Sequence, residues 1–506
     1  MKKIIKYSTL LLLCAAIFSC SKGGSDPDPD PEEPTPTPAA RPDMSKVQKA
    51  PAEMRAIWMA TVYNIDWPWT KNNVSAQKQQ YIEYLDMFKQ YNLNTVIVQI
   101  RPAADAFFNS EIDPWSQYLT GTQGQDPGYD VLRFLIDEAH KRGMEFHAWM
   151  NPYRISPDRK SARFHEKSIA KRHPEYTFEY GESLLLLRPG MPEVRKYLLD
   201  VIDEVITKYD IDGLHFDDYF YPYPESGASL DDADEYARYG KSFSSIEDWR
   251  RNNVTLAIKE ISELIRSKRP DMVFGVSPFG TWKHKSQDPA GSPSKGSTNF
   301  YDLYADVRLW CEKGYLDYIA PQLYNATTSS AQPFVEMVQW WGKSMYDVPV
   351  FIGQGIYRFE SGASTTAYRS VDELNKQVNA IRSTKGVMGS FLYNSNSFKA
   401  NRLNILGEYS KLYKKPSLIP FMGRKTLTEP TAPQNVAISG NTISWSAPSD
   451  KSWRAVVYNI TSAAYATPVA ITSAQAATVP SSGFYAVTFV NGDNVEGTFS
   501  TLVEKK

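Results

Sequence analysis

Cysteine and histidine are scarce in this sequence: of 506 residues only 3 are Cys and 6 are His. So few thiols and imidazoles argue against a structural zinc site, and no metal or cofactor is expected. An excess of one charge is missing too, with 56 Lys and Arg against 57 Asp and Glu. That balance gives no basis for a polyanionic partner such as nucleic acid. There is no phosphate-binding glycine loop, no His-Glu-x-x-His pair and no Gly-x-Ser-x-Gly elbow. Nucleotide-driven, zinc-protease and serine-hydrolase chemistry therefore lack support.

The start of the chain has an apolar run from Leu10 to Phe18, too short to span a bilayer as an ordinary helix. Lys2, Lys3 and Lys6 precede it, which is the layout of a secretory signal peptide over residues 1–19. It ends in Ile17-Phe18-Ser19-Cys20, which resembles a bacterial lipobox, so Cys20 is expected to carry a lipid. A plain secretory peptide with a chance cysteine is the alternative. Asp26 to Pro38 is proline-rich and acidic and reads as an extended tether that holds the body off a membrane, within a linker over residues 20–50. The expected location is the bacterial cell envelope, the periplasmic or surface face and the oligomeric state being left open. Cys14 would leave with the signal peptide. Cys311 then stands alone in an apolar window, a buried small hydrophobe rather than a nucleophile, and no intrachain disulfide is possible.

Between about residues 55 and 395 short β-rich segments alternate with amphipathic helical ones, the order of a parallel α/β fold. Eight strands are expected, over residues 55–62, 94–100, 145–150, 212–217, 273–278, 317–322, 348–353 and 386–391. Eight is the number that closes a (β/α)8 TIM barrel, here placed at residues 51–416; a doubly wound open sheet is the alternative. From Thr428 onward short alternating segments with turn signals resemble a small all-β sandwich of fibronectin type III type over residues 428–506, read as a spacer or docking module.

In such a barrel the working residues sit at the C-terminal ends of the strands. Those ends carry amide, imidazole, carboxylate and aromatic side chains together, a mixture suited to sugar hydroxyls and sugar ring faces. The sharpest segment is DGLHFDDYFYP, where strand alternation puts His215 and Asp217 on the barrel-facing side and Asp218 just beyond the last pleat. Two neighbouring carboxyl groups resist joint ionisation, which leaves one with a proton to donate near neutral pH. Asp217 and Asp218 are the candidate catalytic pair; helix capping or an arginine partner is the bland alternative for two adjacent aspartates.

The segments RAIWMATVYNIDWP, NTVIVQIRPAADAFF, EAHKRGMEFHAWMNPYR, YDIDGLHFDDYFYP, FGVSPFG and YADVRLWCEKGYLDYIAPQLY resemble, together, the glycosyl hydrolase-like proteins labelled family 10-like. The resemblance implies a barrel hydrolase for β-linked glycans, with bacterial members connected to cell-wall glycan strands, so a polysaccharide is the expected substrate. Where that family usually has a tryptophan, Tyr324 is followed by Asn325.

Adjacent aspartates fit poorly with two carboxylates on opposite sides of a scissile bond. They are similar to the tandem aspartates of hexosaminidases that use the substrate's own 2-acetamido group. On that expectation Asp217 orients the acetamide and Asp218 protonates the leaving oxygen, or the reverse. His215 tunes the pair as one of the substrate-binding residues, and Tyr219 and Tyr393 hold the oxazoline. Arg101, Asp105, Asn151 and Gln322 bind polar groups of the substrate, and Trp149, Trp282 and Tyr324 complete the substrate-binding set. A conventional mechanism would instead need a distant carboxylate such as Asp66 or Asp105. A glycan-binding protein without catalysis, or a displayed adhesin, would need the aromatics or the tether and sandwich alone.

Overall fold

Eight parallel strands close on themselves in the computed structural model, which describes residues 41–422, 428–448, 454–460 and 466–506. Cys20 and the stretch Asp26–Pro38 lie outside the described residues. The strands are β1 (Met54–Met59), β2 (Thr95–Arg101), β3 (Glu145–Met150), β4 (Gly213–Phe216), β5 (Val273–Val276), β6 (Tyr318–Ile319), β7 (Val350–Gly355) and β8 (Val387–Tyr393). Each pairs with the next, and β8 returns to β1 with Gly389 opposite Met54, so the sheet is a TIM barrel rather than an open sheet. Strand β6 is shorter than its apolar run implies. Pro321 has no N–H for the ladder, and pairing resumes only at Gln322–Leu323.

Helices cover the outside because their apolar residues recur at three- and four-residue spacing. Pro192–Lys208 buries Val194, Leu198, Val201, Ile202 and Val205 along one stripe. Side-chain caps fix where others begin: Asn73 accepts from Ala76 N ahead of Val74–Gln90, Asp130 from Arg133 N ahead of Val131–Lys141, and Ser245 from Asp248 N ahead of Ile246–Lys268. Between β3 and β4 the chain adds a small antiparallel sheet of Arg154–Ser156, Leu184–Leu187 and Thr177–Tyr180 that the sequence reading did not anticipate.

The barrel interior is a packed core. Ala56, Trp58, Ile97, Trp149, Tyr318, Phe351 and Phe391 form one cluster, and Ile419 and Met422, from the segment that follows the barrel, are part of it. Room for the Tyr318 ring comes from Gly275 on β5, where a Cβ would fall 2.1 Å from that ring.

Beyond the barrel, a three-stranded sheet (Ala437–Ser439, Thr442–Ser444, Ala476–Thr478) and a four-stranded one (Thr467–Thr472, Arg454–Asn459, Gly483–Val490, Val503–Lys505) are both antiparallel. They share an apolar cluster that includes Ile443, Trp445, Val457, Tyr485 and Val487. Another face of the larger sheet, with Val456, Tyr458, Phe484 and Ala486, is covered by Leu418 and by Met44, Val47, Ala50 and Ala52. Residues 44–50, at the end of the linker expected over residues 20–50, are held to this part of the chain: Ala466 N donates to Gln48 O at 2.7 Å, and Lys49 Nζ to Glu496 O at 3.0 Å. The apolar positions in KVQKAPA supply the contact that its flanking prolines and charges obscure.

Candidate active site

Strand β4 ends at Phe216, and the next two residues carry adjacent carboxyl groups, both almost fully buried. Asp217 is held by nitrogen donors: Trp149 Nε1 at 3.0 Å, Asn151 Nδ2 at 3.2 Å from both oxygens, and Tyr219 N at 3.3 Å. Burial raises its pKa, opposed by the Arg154 charge and by these donors. Asp218 takes a hydrogen bond from the Tyr223 hydroxyl. Its pKa is pushed up to about 6, first by burial and second by the charge on Asp217, so the desolvated site does more than the like-charge neighbour that the sequence pointed to.

Both aspartates line a cavity of about 280 Å³ at the C-terminal mouth of the barrel. Its walls are aromatic. Trp58 and Trp149 stand at one side, Tyr324 and Tyr393 stack with ring centroids 5.7 Å apart, and Tyr219 meets Tyr223 edge to face. Gln322 and Ser277 complete the lining, and no carboxylate other than Asp217 and Asp218 lines it among the described residues. A larger cleft of about 870 Å³ lies at the opposite end, by the first residues of β3 and β5, and its charges include paired ones such as His140 with Asp212 and Arg269 with Asp271. No three His, Cys, Asp or Glu side chains come together as a metal site would require, among the described residues.

His215 is expected among the substrate contacts. The structure buries it completely beneath the cavity, because an inward-facing position in mid-strand points into the barrel core rather than its mouth. Trp58 Nε1 donates to His215 Nε2 at 3.1 Å, with Ser277 Oγ at 2.9 Å from the same nitrogen. An indole N–H can only donate, so His215 carries its proton on Nδ1 and gives it to the Tyr318 oxygen at 2.8 Å. Burial and then the nearby His147 lower the His215 pKa well below the ordinary value, so the ring is neutral. Tyr318 in turn reaches His147 Nδ1 at 3.0 Å, and His147 Nε2 reaches Glu145 at 3.2 Å. The chain of bonds runs the depth of the barrel and ends on a carboxylate whose pKa drops to about 2, burial being outweighed by His147, Arg454 and Asn494.

Of the other expected substrate contacts, Trp149, Tyr219, Gln322, Tyr324 and Tyr393 line the cavity, whereas Arg101, Asp105, Asn151 and Trp282 do not. Asn151 sits one step behind, as a donor to Asp217. Arg101 is farther back: fully buried, it pairs with Asp113 at 2.8 Å and donates to Asn151 O at 2.9 Å, so it positions Asn151 rather than a sugar. Asp105 is sealed off with a pKa raised to about 6 by burial, and one of its oxygens has no partner. Trp282 packs on Trp340 and donates to Asp306 Oδ1 at 3.0 Å. Asp66, the other carboxylate a conventional mechanism would draw on, does not line the cavity and clamps Ala60 N at 2.6 Å and Asn396 N at 2.8 Å. Trp58 and Tyr223 were absent from the expected set. Trp58 precedes its strand's end by one residue, and Tyr223 lies five residues past Asp218; only the aromatic repeat YFYPY hinted at the latter.

The glycosyl hydrolase-like 10 family profile matches residues 53–368. Glycosyl hydrolase YngK of Bacillus subtilis is 42% identical over 400 residues, 78% of either chain. Glycosyl hydrolase DigH of Escherichia coli K12 is 35% identical over 415 residues, 78% of this chain and 93% of that one. Among solved structures, the PgaB (BpsB) glycoside hydrolase domain of Bordetella bronchiseptica aligns with a TM-score of 0.47 and 13% identity, over 72% of this chain and all of that one. The matched span runs from β1 past β7 and includes the aspartate pair, Trp58, Trp149 and Gln322, so a barrel with this mouth makes the chain a member of the glycosyl hydrolase-like 10 family.

Proposed function

We propose that the chain is a glycoside hydrolase for β-linked glycans containing 2-acetamido sugars, such as the glycan strands of a bacterial cell wall, and that it cuts with assistance from the acetamido group. The supporting observation is the unequal pair: two adjacent carboxyl groups in one aromatic cavity, one held by three nitrogen donors and the other raised to about 6. A carboxylate offers about four acceptor sites, so Asp217 retains capacity to accept the amide N–H of an acetamido group. The acetamido oxygen then attacks the anomeric carbon as the glycosidic C–O bond breaks, and Asp218 gives its proton to the departing oxygen. Ionised Asp218 next takes a proton from the water that opens the oxazoline. Tyr223 holds Asp218 through both half-reactions, and the rings of Trp58, Trp149, Tyr324 and Tyr393 exclude water and face the sugar.

On this reading the protein works in the cell envelope, carried there by the signal peptide and anchored through Cys20. No helix among the described residues is long and apolar enough to cross a membrane. Product analysis by mass spectrometry on residues 41–506 tests the chemistry, with chitin oligosaccharides, peptide-free wall glycan and a β-glucan without acetamido groups. Cleavage of acetamido glycans alone, abolished in Asp217→Asn and Asp218→Asn, is expected. Comparable cleavage of the plain β-glucan would sink acetamido assistance, and binding without product would make this a glycan-binding protein.

A further inference from the structure

Arg154 is a buried cation without an ion pair among the described residues, although its charge reaches Asp217. It opens the short strand Arg154–Ser156 and is 8% exposed. Its Nε donates to Pro102 O at 2.9 Å, and its backbone N donates to Asn151 Oδ1 at 2.8 Å. The remaining guanidinium nitrogens have no hydrogen-bond acceptor, and no carboxylate lies within 4.0 Å, among the described residues. The other buried arginines here are paired, Arg101 with Asp113 and Arg55 with Glu53. Its two free nitrogens reach solvent, and a planar fork of free donors matches a carboxylate in two parallel bonds.

Its surroundings place it at the rim of the cavity. The guanidinium carbon is 5.1 Å from the centroid of the Tyr219 ring, which lines the cavity. Its charge also reaches Tyr63 and Tyr118, and the rings of Tyr63 and Tyr118 lie 6.2 Å apart edge to face, with Tyr63 59% exposed. An exposed ring beside an unpaired guanidinium, next to the cavity that holds Asp217 and Asp218, has the composition of a second sugar subsite.

We propose that Arg154 receives a carboxylate carried by the sugar adjacent to the one being cleaved, with Tyr63 and Tyr219 supplying ring contacts, so that the enzyme selects acidic glycans. This rests on the hydrolase reading above. The carboxylate can sit on the ring, as in a uronate, or on an ether substituent, as in a lactyl group. A side chain that contacts Asn151 through its backbone and substrate through its guanidinium also links occupation of this subsite to the residue that holds Asp217.

The test compares glycans that differ only at the carboxyl group: peptide-free wall glycan with free lactyl carboxylates, the same glycan as its methyl ester, an oligosaccharide alternating acetamido sugar with uronate, and neutral chitin oligosaccharides. Binding to Asp218→Asn protein is measured by calorimetry, so the readout does not depend on turnover. Tighter binding of a free acid than of its ester by about ten- to hundredfold is expected, the size of a charge-assisted bidentate contact, with the lactyl and uronate arms showing which source is used. Adding Arg154→Gln should bring the acid-to-ester ratio to about one. Equal binding of acid and ester by the parent protein would overturn the proposal without any variant, as would a ratio that survives Arg154→Gln. Failure of the wild type to cleave any glycan, with the acid preference intact, would sink the hydrolase reading and leave the subsite standing.

Discussion

Asn494 of the C-terminal sandwich donates its amide to Glu145 at the foot of β3, 2.7 Å away. Glu145 is the far end of the bond chain through His147, Tyr318 and His215 that supports Trp58 and Ser277 under the cavity. The C-terminal sheets thus complete a buried network of the barrel.

Asn494→Ala should leave the Glu145 oxygen with only Arg454, 3.9 Å away, and cost about 1–3 kcal/mol, read by urea denaturation at pH 7. Glu145 has a folded pKa of about 2, below its unfolded value near 4.5, so its stabilising contribution is present above pH 4.5 and fades as pH falls toward 2. The penalty of the substitution should shrink over the same window. A wild-type midpoint at pH 7 would show that the contact carries no weight.

Asp218 behaves in the opposite sense. Its folded pKa of about 6 lies above the 3.8 of a free aspartate, so the folded state loses stability as pH rises from 4 to 6. Asp218→Asn removes that titration, and its stability relative to wild type should climb by roughly 2–3 kcal/mol between pH 4 and pH 7 while activity is lost. In the wild type, kcat/KM should fall as pH rises through about 6, where the acid loses its proton. A pH-independent stability difference would mean that the carboxyl is already solvated.

Tyr223→Phe separates the acid from its nearest donor. The hydroxyl favours ionised Asp218, so its removal should move the alkaline limb of the pH–rate profile upward and lower kcat about tenfold, the worth of one hydrogen bond. An unmoved limb would show that this bond does not tune the acid.

Gly275→Ala should push a methyl group into the Tyr318 ring, which hydrogen bonds to His147 and His215 hold in place. A loss of about 1–3 kcal/mol and an altered near-ultraviolet circular dichroism spectrum are expected. Wild-type melting would indicate that the ring has freedom to shift.

Much of the barrel was legible because parallel strands buried on both faces are written as apolar runs, and because exits such as HFDDYF break those runs with polar side chains. Alternation located Asp217 correctly and misplaced His215, since it gives the side of a strand but not the depth along the barrel. Arg101 was misread for a related reason: its partners Asp113 and Tyr197 lie 12 and 96 residues away, and nothing local marks it as paired. Arg154 closes the segment EAHKRGMEFHAWMNPYR, but its want of an ion pair is visible only in three dimensions. Wrapping of the sandwich by residues 44–52 was hidden by a segment too short to show a period.

That wrapping, with the plug of Ile419 and Met422 in the barrel core, bears on how the chain can be taken apart. A cut at residue 416 would strip the barrel of its plug, and one at residue 53 would bare Val456, Tyr458 and Phe484 to water. Neither half is a bead that can be unthreaded, and a transplanted sandwich would need both strips of sequence carried along with it.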